Sequence, residues 1–283
     1  MRILLSGRRG QVGSALEHAL APLGELHAYD RAGFDLSDLD AIGSKIRIEK
    51  PDVIVNAAAY TAVDRAEQEL QAAFDVNARA VAALARAAKA ADALLVHFST
   101  DYVFDGERAA PYVESDAPNP INVYGRSKLE GERAIAASGC RHLMFRTSWV
   151  YAPAGRNFLH AILAAAMTRP ELRIVDDQHG APTSSLDIAA AVARILAMPG
   201  LADQGGLYHL TAGGETTWHG FAKAILDAKG ITTPVLAIPG SAYPTAARRP
   251  RNSRLSNAKL AAAFGVVLPD WREGLAAVLR ALD

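Results

Sequence analysis

The sequence predicts a doubly wound α/β fold, a parallel sheet covered by helices on both faces. Three observations predict it. Short apolar runs alternate with helical stretches through the first 150 residues. Those runs are apolar along most of their length, which marks strands buried on both faces. A glycine-rich turn, SGRRGQVG, joins the first run to the first helical stretch. In order, ILLS (3–6), LHAY (26–29), VIVN (53–56), LLVHFS (94–99) and LMFRT (143–147) are the strands. Each is too short for a helix. Helical stretches fill the gaps at 12–21, 39–48, 66–90 (read as two helices) and 123–137. After residue 150 the pattern loosens. Helices are expected at 158–167, 186–197 and 218–228, strands at 172–175 and 207–210, and an amphipathic helix at 271–282. Two loops stand out, the polar DDQHGAPTSS at 176–185 and the proline- and arginine-rich SAYPTAARRPRNSRLS at 241–256. Short elements and long loops suit a region that holds a ligand more than one that builds a sheet.

Composition narrows the function classes. Thirty basic residues face thirty acidic ones, for a formal net charge of zero, so neither a nucleic acid nor a membrane is expected as partner. Half the residues are hydrophobic, enough for a sizeable core. The lone cysteine, Cys140, can make no internal disulfide, belongs to no zinc-ligand spacing, and is expected as a buried thiol. The opening MRILLSG is too short an apolar run for a signal peptide. No uncharged apolar stretch of about 18 residues follows. The alanine-rich segment at 78–91 is interrupted by Arg79, Arg86 and Lys89. A cytoplasmic location is the expectation.

Chemistry enters at the strand ends. Gly7, Gly10 and Gly13 are spaced GxxGxxG between a strand and a helix. Glycine lets the backbone turn sharply and approach a pyrophosphate, and the helix N-terminus at Gln11 and Val12 offers N–H groups and a partial positive charge. Asp30 ends the second strand about 20 residues on, where a carboxylate can accept from a ribose. Residues 1–150 are therefore expected to form a dinucleotide-binding Rossmann domain. Residues 151–283 are expected to be mainly a substrate domain, with segments near 185–200 and 215–230 as candidates to pack back on the first. Arg8, Arg9 and Arg31 lie near Asp30, so NADH and NADPH both remain open. Asp35 and Leu36 offer a polar and an apolar contact to an adenine. Asn56 ends the third strand; Ala57, Ala58 and Ala59 leave room for a flat group, and Tyr60 and Thr61 follow. At the end of the fourth strand come four hydrogen-bonding side chains in a row, Ser99, Thr100, Asp101 and Tyr102. A hydroxyl about 3 Å from a carbonyl can polarise it. Then VYGRSK sets Tyr124 and Lys128 four apart, on one helix face. A free tyrosine titrates near pH ~10, and a neighbouring ammonium lowers that value.

The succession of glycine loop, Asp30, NAAAYT, STDYVF and YGRSK resembles the extended short-chain dehydrogenase/reductase family. The resemblance implies an oxidoreductase using NADPH or NADH. It makes Tyr124 the general acid, Lys128 the residue that holds the nicotinamide ribose and keeps the phenol low, and Thr100 the partner of the reacting oxygen. The dinucleotide then takes the glycine turn, Asp30, Asp35, Leu36, residues 57–61, Ser99, Tyr124 and Lys128. RTSWVYA (146–152), DDQHGAPTS, GLYHLTAGGETTWHGFA (206–222), the arginine loop and LPDWREGL (268–275) are similar to the members of this family that reduce dTDP-4-dehydro-L-rhamnose. This implies reduction of the C4 ketone to give dTDP-L-rhamnose, the last step to that nucleotide sugar. It puts Thr100, Asp101, Tyr102 and Trp149 around the deoxyhexose, and Arg249, Asn252 and Ser253 on the nucleotide diphosphate.

Some members hold a metal at a dimer contact with a carboxylate at the position occupied here by Ala15. SSLDIAA differs in the second metal region, so no metal is expected, and monomer and homodimer both stay open. His97, inside a strand, is expected to be packed. The rival readings are a nucleotide-sugar epimerase or another 4-ketohexose reductase of the family, and a non-catalytic NADP-binding regulatory subunit. The presence of both Tyr124 and Lys128 weighs against the last.

Overall fold

The computed structural model describes residues 1–282, the side chains of residues 202 and 203 excepted. Residue 283, the last of the expected substrate domain, lies outside the described residues. In chain order the first half runs β1 (Arg2–Ser6), α1 (Gln11–Leu20), β2 (Glu25–Tyr29), α2 (Leu39–Glu49), β3 (Val53–Asn56), the short α3 (Val63–Ala66) and α4 (Leu70–Phe74), α5 (Ala80–Ala90), β4 (Leu94–Thr100), α6 (Val123–Ser138) and β5 (His142–Thr147). The second half runs β6 (Val150–Tyr151), α7 (Phe158–Ala166), β7 (Leu172–Val175), β8 (His179–Gly180), β9 (Thr183–Ser184), α8 (Ser185–Leu196), β10 (Gly206–His209), β11 (Thr216–Thr217), α9 (Trp218–Ala228), β12 (Val235–Ile238), α10 (Ala258–Phe264) and α11 (Trp271–Arg280).

Six strands form one parallel sheet in the order β10-β5-β4-β3-β1-β2. Side chains alternate across a strand, so continuous apolar runs feed both faces. Ile3, Leu5, Val53, Val55, Val96 and Phe145 face one core with α1, α8 and α10. Their neighbours Leu4, Ile54, Leu95 and Met144 face the other, with residues of α2, α5 and α6. The chain leaves β1 for β2 on one side and reaches β3 on the other, so strand order reverses beside β1. Open α/β sheets bind ligands at the carboxyl ends of strands at such a point. Ser6, Asn56, Thr100 and Thr147 end β1, β3, β4 and β5 there.

A second core gathers Tyr151 of β6 with Leu159, Ile162, Phe221, Ile225, Trp271 and Val278 from α7, α9 and α11. The chain moves between the two cores more than once. Segment 185–200 contributes Ile188, Val192 and Ile195 to the sheet core, as do Leu260, Phe264 and Val266. Segment 215–230, by contrast, packs Phe221, Ala222 and Ile225 into the second core. Its apolar stripe meets α7 and α11 there, so its expected return to the first domain is corrected.

The stretch 66–90 is α4, a π turn at Asp75–Arg79 and α5, preceded by α3. The π turn aims Asn77 at its neighbours. Its amide accepts from Tyr60 N (2.9 Å) and donates to Tyr60 O (2.9 Å) and Ser127 Oγ (3.0 Å). Such turns recur at functional sites. Here it locks the loop after β3 to the middle of α6.

Candidate active site

A cleft of about 700 Å³ runs along the carboxyl edge of the sheet, from the glycine turn to Trp149 and Trp218. At one end Gly7 has φ +79°, and a Cβ there would lie 2.7 Å from Ala58 N. Only glycine fits that turn. Gly10 N donates to Gly7 O (2.8 Å) and α1 starts at the next residue. No side chain caps α1, which begins at Gly10. Its first N–H groups therefore face the cleft without a competing acceptor, as an anion site requires. Gln11 Oε1 is buried there with no hydrogen-bond partner among the described residues. Gly7, Gly10, Gln11 and Val12 all line the cleft.

Gly13 does not line it. A Cβ at Gly13 would press on the Gly7 carbonyl, 2.6 Å from its carbon. Gly13→Ala is therefore expected to shift the turn at an overpacking cost of about 1–3 kcal/mol. Tryptophan fluorescence titration with NADPH should show roughly tenfold weaker binding. Unchanged affinity would mean that the turn does not carry the dinucleotide.

Asp30, Asp35 and Leu36 line the next section, with Arg9, Arg31 and Phe34. Asp30 Oδ1 accepts from Ala32 N (3.1 Å) and Gly33 N (3.2 Å), while its Oδ2 pairs with Arg9 (2.8 Å). Arg31 pairs with Asp35 (3.3 Å). The acids that suit a ribose and the cations that suit an added phosphate thus stand side by side. This end of the cleft fits either dinucleotide. Ala57, Ala58, Ala59, Tyr60 and Thr61 form the wall above.

Ser99, Thr100, Asp101, Tyr102, Tyr124 and Lys128 meet at the centre. The first turn of α6 is held from three sides. Asn122 Oδ1 accepts from Gly125 N (2.8 Å), Glu67 Oε1 accepts from Val123 N (2.7 Å), and Asn122 Nδ2 donates to Arg248 O (2.8 Å). This fixes Tyr124, whose ring meets Tyr102 edge to face at 5.7 Å. Burial pushes the phenol up to about 12; hydrogen bonding with Thr100, whose own hydroxyl donates to Asp101 Oδ1 (3.1 Å), is the influence that lowers it. Lys128 was expected to lower it. Instead the lysine, 2% exposed, donates to Phe98 O (2.6 Å) and lies 3.3 Å from His97 Nε2. Burial brings Lys128 down to about 8, with Glu132 one turn along α6 raising it. His97 is packed, but it is also a neighbour of the lysine. Burial first, and then the charge of Lys128, hold its imidazole well below the usual histidine range. Its Nδ1 lies 3.0 Å from Asn56 Nδ2, and Asn56 Oδ1 accepts from Ser6 Oγ (2.7 Å) and Ala58 N (3.2 Å).

Asp101 is raised to about 6 by burial, against hydrogen bonds from Ser253 and Thr100. A phenol near 12 remains protonated at neutral pH, so the centre holds a proton donor, a hydroxyl beside it and a buried ammonium. That set can protonate an oxygen as negative charge develops on it.

At the far end Trp149 lies flat on Trp218, ring centres 3.7 Å apart and planes 9° apart. Trp149 has φ +50°, a conformation a bulky residue rarely holds without a packing reason. Gly180 supplies it: a Cβ there would meet the indole at 2.5 Å. One face of Trp149 is therefore covered by Trp218, a partner the sequence alone does not announce. Trp218 follows the cap Thr217 at the start of α9, and no local pattern says which way it turns.

Arg249, Asn252 and Ser253 are not brought to the cleft wall. Asn252 Nδ2 donates to Arg108 O (2.6 Å) and Ala110 O (2.9 Å), and its Oδ1 accepts from Arg254 N (3.1 Å) and Nε (2.8 Å). Its amide has no capacity left for a phosphate. Arg249 forms a two-bond pair with Asp64 (2.7 Å each) and donates to Ala247 O (2.6 Å). Ser253 is 3% exposed beside Asp101. In this structure the side chains expected on the diphosphate fasten their loop to the rest of the protein.

The whole chain, residues 1–283, matches the family model described as RmlD substrate binding domain. A curated dTDP-4-dehydrorhamnose reductase from Burkholderia thailandensis is 46% identical over 295 residues, covering 100% of this chain and 99% of that protein. The solved dTDP-4-dehydrorhamnose reductase of Clostridium acetobutylicum superposes with a TM-score of 0.95 at 35% identity, covering 100% of this chain and 99% of the other. The Bacillus anthracis reductase, solved in complex with NADP, gives a TM-score of 0.94 at 31% identity, covering 99% of each chain.

Proposed function

We propose, on the premise that this chain belongs to the RmlD substrate binding domain family, that it reduces the C4 ketone of dTDP-4-dehydro-L-rhamnose to give dTDP-L-rhamnose. NADPH or NADH is the reductant. The observation that carries this reading is the meeting of the Tyr124 phenol and the Thr100 hydroxyl in the cleft that begins at the uncapped end of α1.

We assign the glycine turn, Asp30, Asp35, Leu36, residues 57–61 and Ser99 to the dinucleotide. Bound there, its reduced nicotinamide supplies the hydride. Thr100 donates to the ketone oxygen and holds it against Tyr124. Tyr124 gives its proton to that oxygen as the C4–O π bond breaks, so the product is a neutral alcohol. We assign Lys128, charged below about pH 8, to the nicotinamide ribose. Asp101, Tyr102 and Trp149 orient the sugar, with Trp218 bracing the indole. We place the reaction in the cytoplasm, where a biosynthetic nucleotide sugar is made, by a monomer or homodimer. Among the described residues no helix is long and apolar enough to cross a membrane.

The test is to mix the purified protein with the 4-keto sugar nucleotide and excess reduced dinucleotide. One reduced dinucleotide consumed per alcohol formed is the expected result. Conversion of the sugar with no net oxidation would replace the reading by an epimerase. Binding without any conversion would replace it by a regulatory subunit.

A further inference from the structure

If the reading above holds, the substrate brings a diphosphate, and the loop expected to grip it is fastened to the protein itself. Among the described residues four cationic side chains line the cleft: Arg9, Arg31, Lys128 and Arg156. Three are occupied. Arg9 is on Asp30 (2.8 Å), Arg31 on Asp35 (3.3 Å) and Lys128 on Phe98 O (2.6 Å). The guanidinium of Arg156 alone among them makes no hydrogen bond or ion pair with the described residues.

Its setting points to a ligand role. Arg156 lies in the turn between β6 and α7, two residues before Phe158, whose ring meets Trp218 at 4.6 Å. The base of that turn is pinned. Asn157 Nδ2 donates to Ala152 O (2.9 Å), its Oδ1 accepts from His160 N (3.2 Å), and His160 Nε2 lies 2.8 Å from Pro153 O. The base of the turn is thus fixed, and Arg156 is an exposed side chain on the cleft lining.

We propose that Arg156 receives the diphosphate of the nucleotide sugar and is a specificity-determining residue for nucleoside diphosphates. A guanidinium presents paired N–H donors in a fixed fork that matches phosphate oxygens, and an ammonium does not reproduce this. The proposal rests on the reductase reading, so its test is separable from turnover. Calorimetric titration with dTDP and with thymidine compares the wild type with Arg156→Gln and Arg156→Lys. The glutamine variant should bind dTDP at least tenfold more weakly, with thymidine affinity unmoved and the lysine variant in between. In turnover, its KM for the sugar nucleotide should rise by a similar factor, with kcat and the KM for NADPH within about twofold of wild type. Wild-type dTDP affinity in the glutamine variant overturns the proposal, as does a wild type that fails to bind dTDP. A wild type that binds dTDP through Arg156 but never consumes reduced dinucleotide refutes the reductase reading and leaves the subsite standing.

Discussion

Tyr124→Phe is expected to lower kcat for ketone reduction by about 10²- to 10⁴-fold, the usual worth of a positioned general acid. Dinucleotide binding and thermal stability should stay close to wild type. The substitution removes one oxygen and leaves the ring, so the edge-to-face contact with Tyr102 at 5.7 Å is kept. The caps on α6 do not involve the phenol. The loss should fall on kcat and kcat/KM together, the signature of an interaction made only in the transition state. Stopped-flow absorbance at 340 nm with saturating substrate measures it. A variant that turns over at the wild-type rate removes Tyr124 from the chemistry. Because the phenol is held up near 12, its own titration lies above the working range. The alkaline fall in rate should instead follow Lys128 near pH 8.

Much of this could be read from the sequence, for a physical reason. Strands covered on both faces must be apolar at successive positions, so ILLS, VIVN and LLVHFS announce themselves. The glycine turn is equally legible, because a positive φ at Gly7 and the contact with Ala58 exclude a side chain. Tyr124 and Lys128 were found by spacing, but their environment was not. Whether an ammonium acts on a phenol depends on which groups surround each, and Phe98 and His97 come from another element. The arginine loop is a case of the same kind. Arg249 looks like a phosphate ligand until Asp64, far away in sequence, is folded against it. The strand at 207–210 was recognisable as a strand, but its place beside β5 in the main sheet was not, since pairing is a property of two segments. Helix α10 went unseen because seven residues carry too little periodicity to stand out from a loop.

The largest effect on stability is expected at Glu132. Its carboxylate accepts two bonds from Arg146, from Nε (2.9 Å) and Nη2 (2.6 Å), and a third from Ser99 Oγ (2.5 Å). Both charged residues are buried, at 5% and 2% exposure. Glu132→Ala leaves a guanidinium in the interior with no counter-charge, and Arg146 Nη1 already lacks a partner among the described residues. Removing one member of such a pair costs about 3–5 kcal/mol, which for a chain of this size lowers Tm by roughly 10 °C. Replacing both, as Glu132→Leu with Arg146→Met, should recover most of that, because the penalty belongs to the stranded charge. The lost bond from Ser99 keeps the recovery incomplete. The single variant also reaches the chemistry. Glu132 holds Lys128 up against burial, so its loss lowers the lysine below its value of about 8. A lysine is charged only below its pKa, so the alkaline limb of kcat must move to lower pH in Glu132→Gln, measured well below its melting temperature. If scanning calorimetry finds Glu132→Ala as stable as the wild type, the ion pair is not structural. If the limb stays put while stability falls, Glu132 supports the fold and has no part in charging Lys128.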